Sequence, residues 1–264
     1  RIQFESDISG IHPSDNGFTL MSRAGARVTA RRVIIATGGK SYPSFGSDGS
    51  GYTLARALGH TVIEPVPVAV PVVTKDALCQ PLQGQKIFAS AKALIRGSCE
   101  AESNGELLFT KYGLSGTAIL DISRPISIAL HRDKERDTTV AVDLVPFMKE
   151  SELCAALENR FHERRAQEDL LVGVLPNKFG AALASRLKNR QADTMAAELK
   201  DMRFSITGTR GWNEADFTAG GIPVDEINAN TLESLRQPGI YFCGEALDVD
   251  GQRGGFNLAW AWAS

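Results

Sequence analysis

The apolar positions of this chain change period along its length, and the changes divide it into segments. Ile2–Ile8 alternates apolar and polar residues. Gly17–Ser22 follows an Asp15-Asn16-Gly17 turn, and Arg27–Ala30 precedes an unbroken apolar run, Val33–Ala36. Alternation marks half-buried strands and a continuous run a fully buried one, so residues 1–40 read as β-structure. Asn and Gly accept positive φ, which makes Asp15–Gly17 a hairpin turn. Ser50–Gly59 reads as a helix ended by Gly59. Pro65, Pro67 and Pro71 fall within Glu64–Pro71; they exclude a central strand and indicate an extended crossing between domains.

Residues 72–145 carry β-branched runs and short turns at Lys86–Ile95, Gly105–Thr110 and Thr138–Leu144. A small antiparallel barrel or sheet is expected there, interrupted by one helix over Ser115–Arg124 with Ser115 as its N-cap. From Lys149 to Met202 the period becomes helical: Leu153, Leu157 and Phe161 share one face. Pro176–Lys188 and Thr194–Asp201 read as further helices, Met195, Leu199 and Met202 as core, and Arg203–Thr209 as a return to β-structure. Ile240–Cys243 is a buried strand, and a last helix opens near Gly254.

Two segments carry candidate chemistry. In Gly239–Asn257 a strand is followed by Gly244, Glu245 and then Gly254-Gly255-Phe256-Asn257 at a helix start. This order puts a carboxylate at the C-terminal end of a strand and aims free backbone N–H groups beyond it. A flavin dinucleotide needs both, an acceptor for its ribityl hydroxyls and donors where negative charge builds on reduction. Far upstream, Arg32–Gly39 is an apolar run ending in Thr37-Gly38-Gly39, whose glycines let the backbone turn sharply beside a ligand. A third glycine pair, Gly220-Gly221 in Thr218–Ile222, reads as a turn. Asp248 and Asp250 are placed to pair with Arg253 and shape the loop, and neither is assigned as a general base.

Of the 264 residues, 43% are hydrophobic and 23% charged, and the formal net charge is −2. This composition is globular and gives no electrostatic reason to expect nucleic acid or an anionic membrane as partner. Cys79, Cys99, Cys154 and Cys243 form no C-x-x-C pair, and His12, His60, His131 and His162 show no ligand spacing. No metal site or disulfide framework is expected, and a reducing cytoplasm fits best. Cys243 reads as a small residue filling a strand. No G-x-G-x-x-G follows a strand anywhere, since Gly46–Gly51 has its glycines in the wrong order.

Ala36–Pro43, Gly105–Gly116, Thr218–Ile222 and Gly244–Gly251, together with Ser41–Tyr52, closely resemble a group of bacterial FAD-dependent oxidoreductases, the BaiN/RdsA-like or aminoacetone-oxidase-family flavoproteins. The resemblance runs from Arg32 to Ser264. It implies an α/β fold: a discontinuous Rossmann-like FAD-binding domain, residues 1–66 and 206–264, with an insert over 67–205. The insert divides into a β-rich barrel, 67–147, and a helical part, 148–205.

The resemblance also implies that the family's dinucleotide fingerprint lies N-terminal to this segment. The chain is then expected to be a fragment of a longer flavoprotein, lacking roughly a hundred residues at its start and a short tail. The implied cofactor is FAD, held by Thr37, Gly38, Gly39, Gly220, Gly221, Gly244, Glu245, Gly254, Gly255, Phe256 and Asn257. The implied activity is hydride transfer between the flavin and a small organic substrate, with NAD(P)H as a candidate electron donor. Enone reduction and amine oxidation both occur in the family. The chain has Lys111 and Thr117 where the family often has His and Pro, so a role borrowed from that His does not transfer. Lys40, Tyr42, Lys111, Tyr112 and Arg210 are polar candidates, and no catalytic acid or base is assigned. The alternatives are a flavin- or nucleotide-binding protein without turnover, and an α/β protein whose glycine pairs are only turns.

Overall fold

The computed structural model describes residues 2–188 and 191–264. In chain order come β1 (Ile8–Ser14), β2 (Gly17–Ser22), β3 (Arg27–Ala30), β4 (Val33–Ile35), α1 (Ser50–Ala57), β5 (Ile63–Val68) and β6 (Val72–Thr74). Next are β7 (Lys86–Ile95), β8 (Ser98–Thr110), β9 (Gly113–Ser115), α2 (Thr117–Ser127), β10 (Thr138–Asp143), α3 (Glu150–His162), α4 (Asn177–Leu183) and α5 (Ala192–Lys200). The order ends with β11 (Met202–Thr209), β12 (Phe217–Gly221), β13 (Ile240–Phe242) and α6 (Phe256–Ala263). Two compact units result, one built from the stretch up to Val68 and the stretch from Gly211 onward, the other from Ala69–Arg210. Among the described residues no helix is long and apolar enough to cross a membrane.

The second unit is a closed six-stranded barrel, β10-β11-β6-β9-β8-β7, with the helical segment packed on it. Closure leaves no unpaired strand edge. Burial alternates along β7 and β11, as a barrel wall with one face on a core requires. Ala89, Ala91 and Ala93 of β7 are fully buried, and such small side chains let Ile119, Ile122 and Ile126 of α2 come close. Phe109 meets Phe179 edge-on at 5.5 Å and Phe204 at 6.3 Å, which joins barrel and helices in one core.

The first unit contains the antiparallel meander β1-β2-β3, the antiparallel pair β12-β5 and the parallel pair β13-β4. Asp15 and Asn16 form the two-residue connection of the β1-β2 hairpin. The core comprises Ile11, Phe18, Val33, Ile35, Leu54, Ile240 and Phe242 with their neighbours.

Several elements differ from the sequence reading. The first strand begins at Ile8 rather than Ile2, because only from Ile8 does the chain pair with β2; Ile2 and Phe4 are exposed. Glu64–Pro71 is not a crossing throughout: Ile63–Val68 is a strand paired to β12 alone. Pro67 lies opposite Thr218, whose own N–H points away from β5, so the missing proline N–H removes nothing from the ladder. Ser115 belongs to β9, and the residue capping α2 is Gly116. Thr218–Gly221 is strand, not turn. Leu153 and Leu157 are buried, whereas Phe161 at the end of α3 is exposed.

A buried polar cluster ties the segment after α1 to the segment before β13. His60 Nδ1 lies 2.7 Å from Glu226 Oε2, and His60 Nε2 lies 2.7 Å from Ser234 Oγ. The order Ser–His–carboxylate is that of a hydrolytic triad. Ser234 is buried, however, and its Oγ already accepts the backbone N–H groups of Arg236 and Gln237. The cluster is therefore a lock. Glu226 also accepts from the Thr61 hydroxyl at 2.6 Å and from Arg236 at 2.6 Å.

Burial alone would raise the Glu226 carboxyl, but hydrogen bonds from Arg236, Thr61 and His60 outweigh it and hold the group at about 2. Folding thus lowers this pKa, so the stability it contributes is complete above the ordinary 4.5 and is lost as pH falls toward about 2. In urea unfolding, the midpoint is expected to drop between about pH 5 and about pH 3. Glu226→Gln should lose about 2–4 kcal/mol at neutral pH and flatten that drop. A variant that keeps the wild-type acid slope would place the sensitivity elsewhere.

Candidate functional site

The site grows from the parallel pair β13-β4. Ile240, Tyr241 and Phe242 lie beside Val33, Ile34 and Ile35 in register, and Cys243 N–H extends the ladder to the Ile35 carbonyl at 3.3 Å. Two strands running the same way release their next residues at the same end: Thr37–Gly39 after β4, Gly244 and Glu245 after β13. Burial raises the pKa of the Cys243 thiol.

Glu245 turns its carboxylate onto this junction. It accepts the N–H of Thr218 and that of Gly39. Burial raises its pKa, and the Thr218 hydroxyl together with those N–H groups pulls it partly back. The Tyr52 hydroxyl donates to the Glu245 carbonyl at 3.3 Å; burial, then the charges of Glu245 and Asp248, raise the pKa of that phenol.

The outward N–H groups of β12 follow a regular rule. At alternate residues they point away from β5 and are met by the segment after β13. Thr218 donates to Glu245, Gly220 to Asp248 Oδ1 at 2.9 Å, and Ile222 to the Ala246 carbonyl at 3.0 Å. Asp248 N–H returns a bond to the Ile222 carbonyl at 2.8 Å. Asp248 thus serves β12, while Arg253 pairs with Asp216 at 3.1 Å.

Gly255, with φ +98°, caps α6. The first bond of the helix runs from Ala259 to the Gly255 carbonyl, so the N–H groups of Phe256, Asn257 and Leu258 have no acceptor within it. The Asn257 side chain is engaged with Gly251, accepting at 2.8 Å and donating at 3.0 Å, which closes the 251–257 loop. Trp260 Nε1 donates to the Gly244 carbonyl at 3.1 Å, and Gly244 N–H donates to Ser264 Oγ at 2.8 Å. These two bonds dock α6 on the turn that carries Glu245.

A cavity of about 360 Å³ opens at this docking point, with Glu245, Gly254, Gly255 and Asn257 in its wall beside Tyr42, Phe217, Leu258 and Trp260. Of the positions expected to hold the cofactor, Glu245, Gly254, Gly255 and Asn257 share the cavity. Gly39 and Gly220 stand behind it, bonded to Glu245 and Asp248. Thr37 packs against Gly51 of α1, and Gly38 lies near Ser47. Gly221 abuts the Ala246 carbonyl, Gly244 lies under α6, and Phe256 is exposed.

Among the polar candidates, Tyr42 reaches the cavity wall, with φ +53°, and Lys40 sits over the Trp212 ring. Lys111, Tyr112 and Arg210 belong to or border the barrel, where the Arg210 guanidinium covers the Tyr112 ring. Sequence reasoning missed Thr218 as a side chain, the Tyr52 contact and the Arg253–Asp216 pair; each joins residues remote in sequence. Among the described residues, no group of three or more His, Cys, Asp or Glu is placed to hold a metal ion.

Gly39 is closely packed at this junction. A Cβ there would stand 2.5 Å from Thr218 Oγ1 and 2.8 Å from Glu245 Cδ. Gly39→Ala should therefore destabilise the protein by about 1–3 kcal/mol in urea unfolding. Gly211→Ala, whose Cβ meets nothing within 4 Å, should stay within about 0.5 kcal/mol of wild type. Equal effects of the two would show that the junction is not close-packed.

Residues 1–264 match the family model described as HI0933-like protein Rossmann domain. The chain is 36% identical over 270 residues to the 3-dehydro-bile acid delta(4,6)-reductase of Clostridium scindens, covering 97% of this chain and 65% of that protein. It is 32% identical over 278 residues to the ribosomal RNA dihydrouridine synthase of Escherichia coli, covering 99% and 65%. With the enzyme of the same name from Haemophilus influenzae the figures are 30% over 247 residues, 89% and 58%. The chain thus spans less than two thirds of the length of these relatives. On the match along its whole length, this chain belongs to the HI0933-like Rossmann-domain family.

Proposed function

We propose that the first unit contributes the ring-binding part of an FAD site and that the protein is an FAD-dependent oxidoreductase. One observation carries the reading: Glu245 and the α6 start, Gly254, Gly255 and Asn257, line one cavity. The residues fit the group. A Cβ on Gly255 would meet nothing within 4 Å, so a flat ligand can lie against the backbone there. The cavity falls in the size range of small-molecule sites, apolar with a few convergent polar groups.

Bound FAD would supply hydride transfer at its N5 position. The chain supplies the setting. Glu245 spends part of its acceptor capacity on Thr218 and Gly39 and keeps the rest for a ribityl hydroxyl. The N–H groups of the first α6 turn, with the positive end of the helix, stabilise negative charge on the pyrimidine edge. Phe217, Leu258 and Trp260 give the cavity an apolar wall. Thr37, Gly38, Gly220, Gly221 and Phe256 belong to the surrounding shell of this reading.

The names of the relatives supply the reaction class. A delta(4,6)-reductase and a dihydrouridine synthase both add two hydrogens across a carbon–carbon double bond. We assign this chain a substrate with such a bond conjugated to a carbonyl: one carbon gains a hydride, the other a proton, and NAD(P)H returns the electrons. A small free molecule is the first reading, since the net charge of −2 offers no broad attraction for polyanions. A uracil ring within RNA is the second, favoured by the 32% identity over nearly the whole chain. The four free cysteines suit the cytoplasm.

Purified protein is expected to show the visible flavin bands and to lose them on addition of NADH or NADPH. Glu245→Gln should weaken FAD binding roughly tenfold. Reoxidation by a conjugated enone supports the small-molecule reading, and reoxidation by a uridine-containing oligoribonucleotide supports the RNA reading. A protein that stays colourless when supplied with FAD would overturn the proposal.

A further inference from the structure

We infer that Thr218 is the positioning residue that holds the Thr37–Ser41 loop in register with Glu245; as a statement about the cofactor site, this rests on the FAD reading above. Thr218 is buried in β12 and is bonded on both sides of the junction. Its main-chain N–H donates to the Glu245 carboxylate. Its hydroxyl oxygen accepts Lys40 N–H at 2.8 Å and Ser41 N–H at 3.2 Å, and lies 3.1 Å from Ser41 Oγ. A hydroxyl has two lone pairs and one proton. With both lone pairs taken by backbone N–H groups, its proton is left to face Ser41 Oγ and the Glu245 carboxylate, and its bonding capacity is full. The same oxygen is the atom that a Cβ on Gly39 would meet first, at 2.5 Å. Loop, strand and carboxylate therefore meet at one residue.

The role is specific to the hydroxyl. Valine has nearly the shape of threonine but cannot accept, so Thr218→Val leaves the Lys40 and Ser41 donors without their partner. Serine keeps the oxygen. Removing the acceptor from buried N–H groups opens them locally by a factor on the order of ten or more.

The test uses the whole chain with Thr218→Val and Thr218→Ser. Amide hydrogen exchange without flavin is read first. Lys40 and Ser41 should exchange roughly tenfold faster in Thr218→Val and at the wild-type rate in Thr218→Ser, with barrel amides unchanged. Fluorescence titration with FAD is read second, and should show roughly tenfold weaker binding for the valine variant and rescue by serine. Unchanged exchange at residues 40 and 41 in the valine variant overturns the inference. So does a loss of the whole fold in both Thr218→Val and Thr218→Ala, judged by circular dichroism, because the hydroxyl would then serve folding at large. If the exchange result holds and no form of the chain binds FAD, the flavin reading fails while the loop assignment stands.

Discussion

The free edge of β12 is the constraint around which the first unit is organised. A strand paired on one side only presents a row of unmet N–H groups, and burying such a row without acceptors is costly. Here Thr218, Gly220 and Ile222 are answered by Glu245, Asp248 and the Ala246 carbonyl. Two side-chain carboxylates and one peptide replace the strand that would otherwise lie there. The spacing follows from geometry, since N–H groups on one strand edge recur every second residue. An irregular segment can match that repeat only by reaching with side chains where its backbone departs. The acidic residues after β13 are thus tied to the edge before any ligand is considered.

The barrel solves the same problem by closure. Its six strands leave no edge, its core is apolar, and its side chains meet through Phe109, Phe179 and Phe204. The first unit keeps short strands, three separate small sheets and a polar lock at His60, Glu226 and Ser234. Short, incompletely paired strands leave backbone groups and strand ends available, and strand ends are where open α/β sheets place ligands. The cavity beside Glu245 lies at such an end.

Elements whose causes are local are legible from local signals. Asp15-Asn16-Gly17 is legible as a hairpin because φ preference alone decides it, and Gly254-Gly255 before an apolar run is legible as a helix start. The barrel is readable from its β-branched runs, and the family from its glycine motifs. Ile2–Ile8 alternates like a strand, yet among its described residues only Ile8 pairs with β2, and periodicity cannot report a missing partner. Thr218–Gly221 looks like a turn because it holds two glycines; its pairing with Pro67, Val66 and Ile63 makes it a strand. The Thr218 hydroxyl was invisible for the same reason, as its partner at Lys40 lies 178 residues away. A β-branched residue two positions before a glycine pair has no local meaning until the loop it receives is known.

The choice of glutamate at position 245 follows from the edge it serves. Gly244 is held down by α6 through its own N–H and carbonyl, so the backbone at this turn cannot approach β12 further. The carboxylate must still reach the Thr218 and Gly39 amides. Aspartate would end one carbon–carbon bond short, about 1.5 Å, and would leave those donors unmet or draw the turn away from α6. Burial works against the charge that makes this carboxylate a strong acceptor, and the Thr218 hydroxyl and the two amides counter that cost. The side chain and its donors therefore depend on each other: without the amides the charge is poorly supported, and without the charge the edge of β12 loses its best acceptor. A cofactor hydroxyl arriving at this carboxylate would join an arrangement already oriented by the fold, so little reorganisation would be needed for binding.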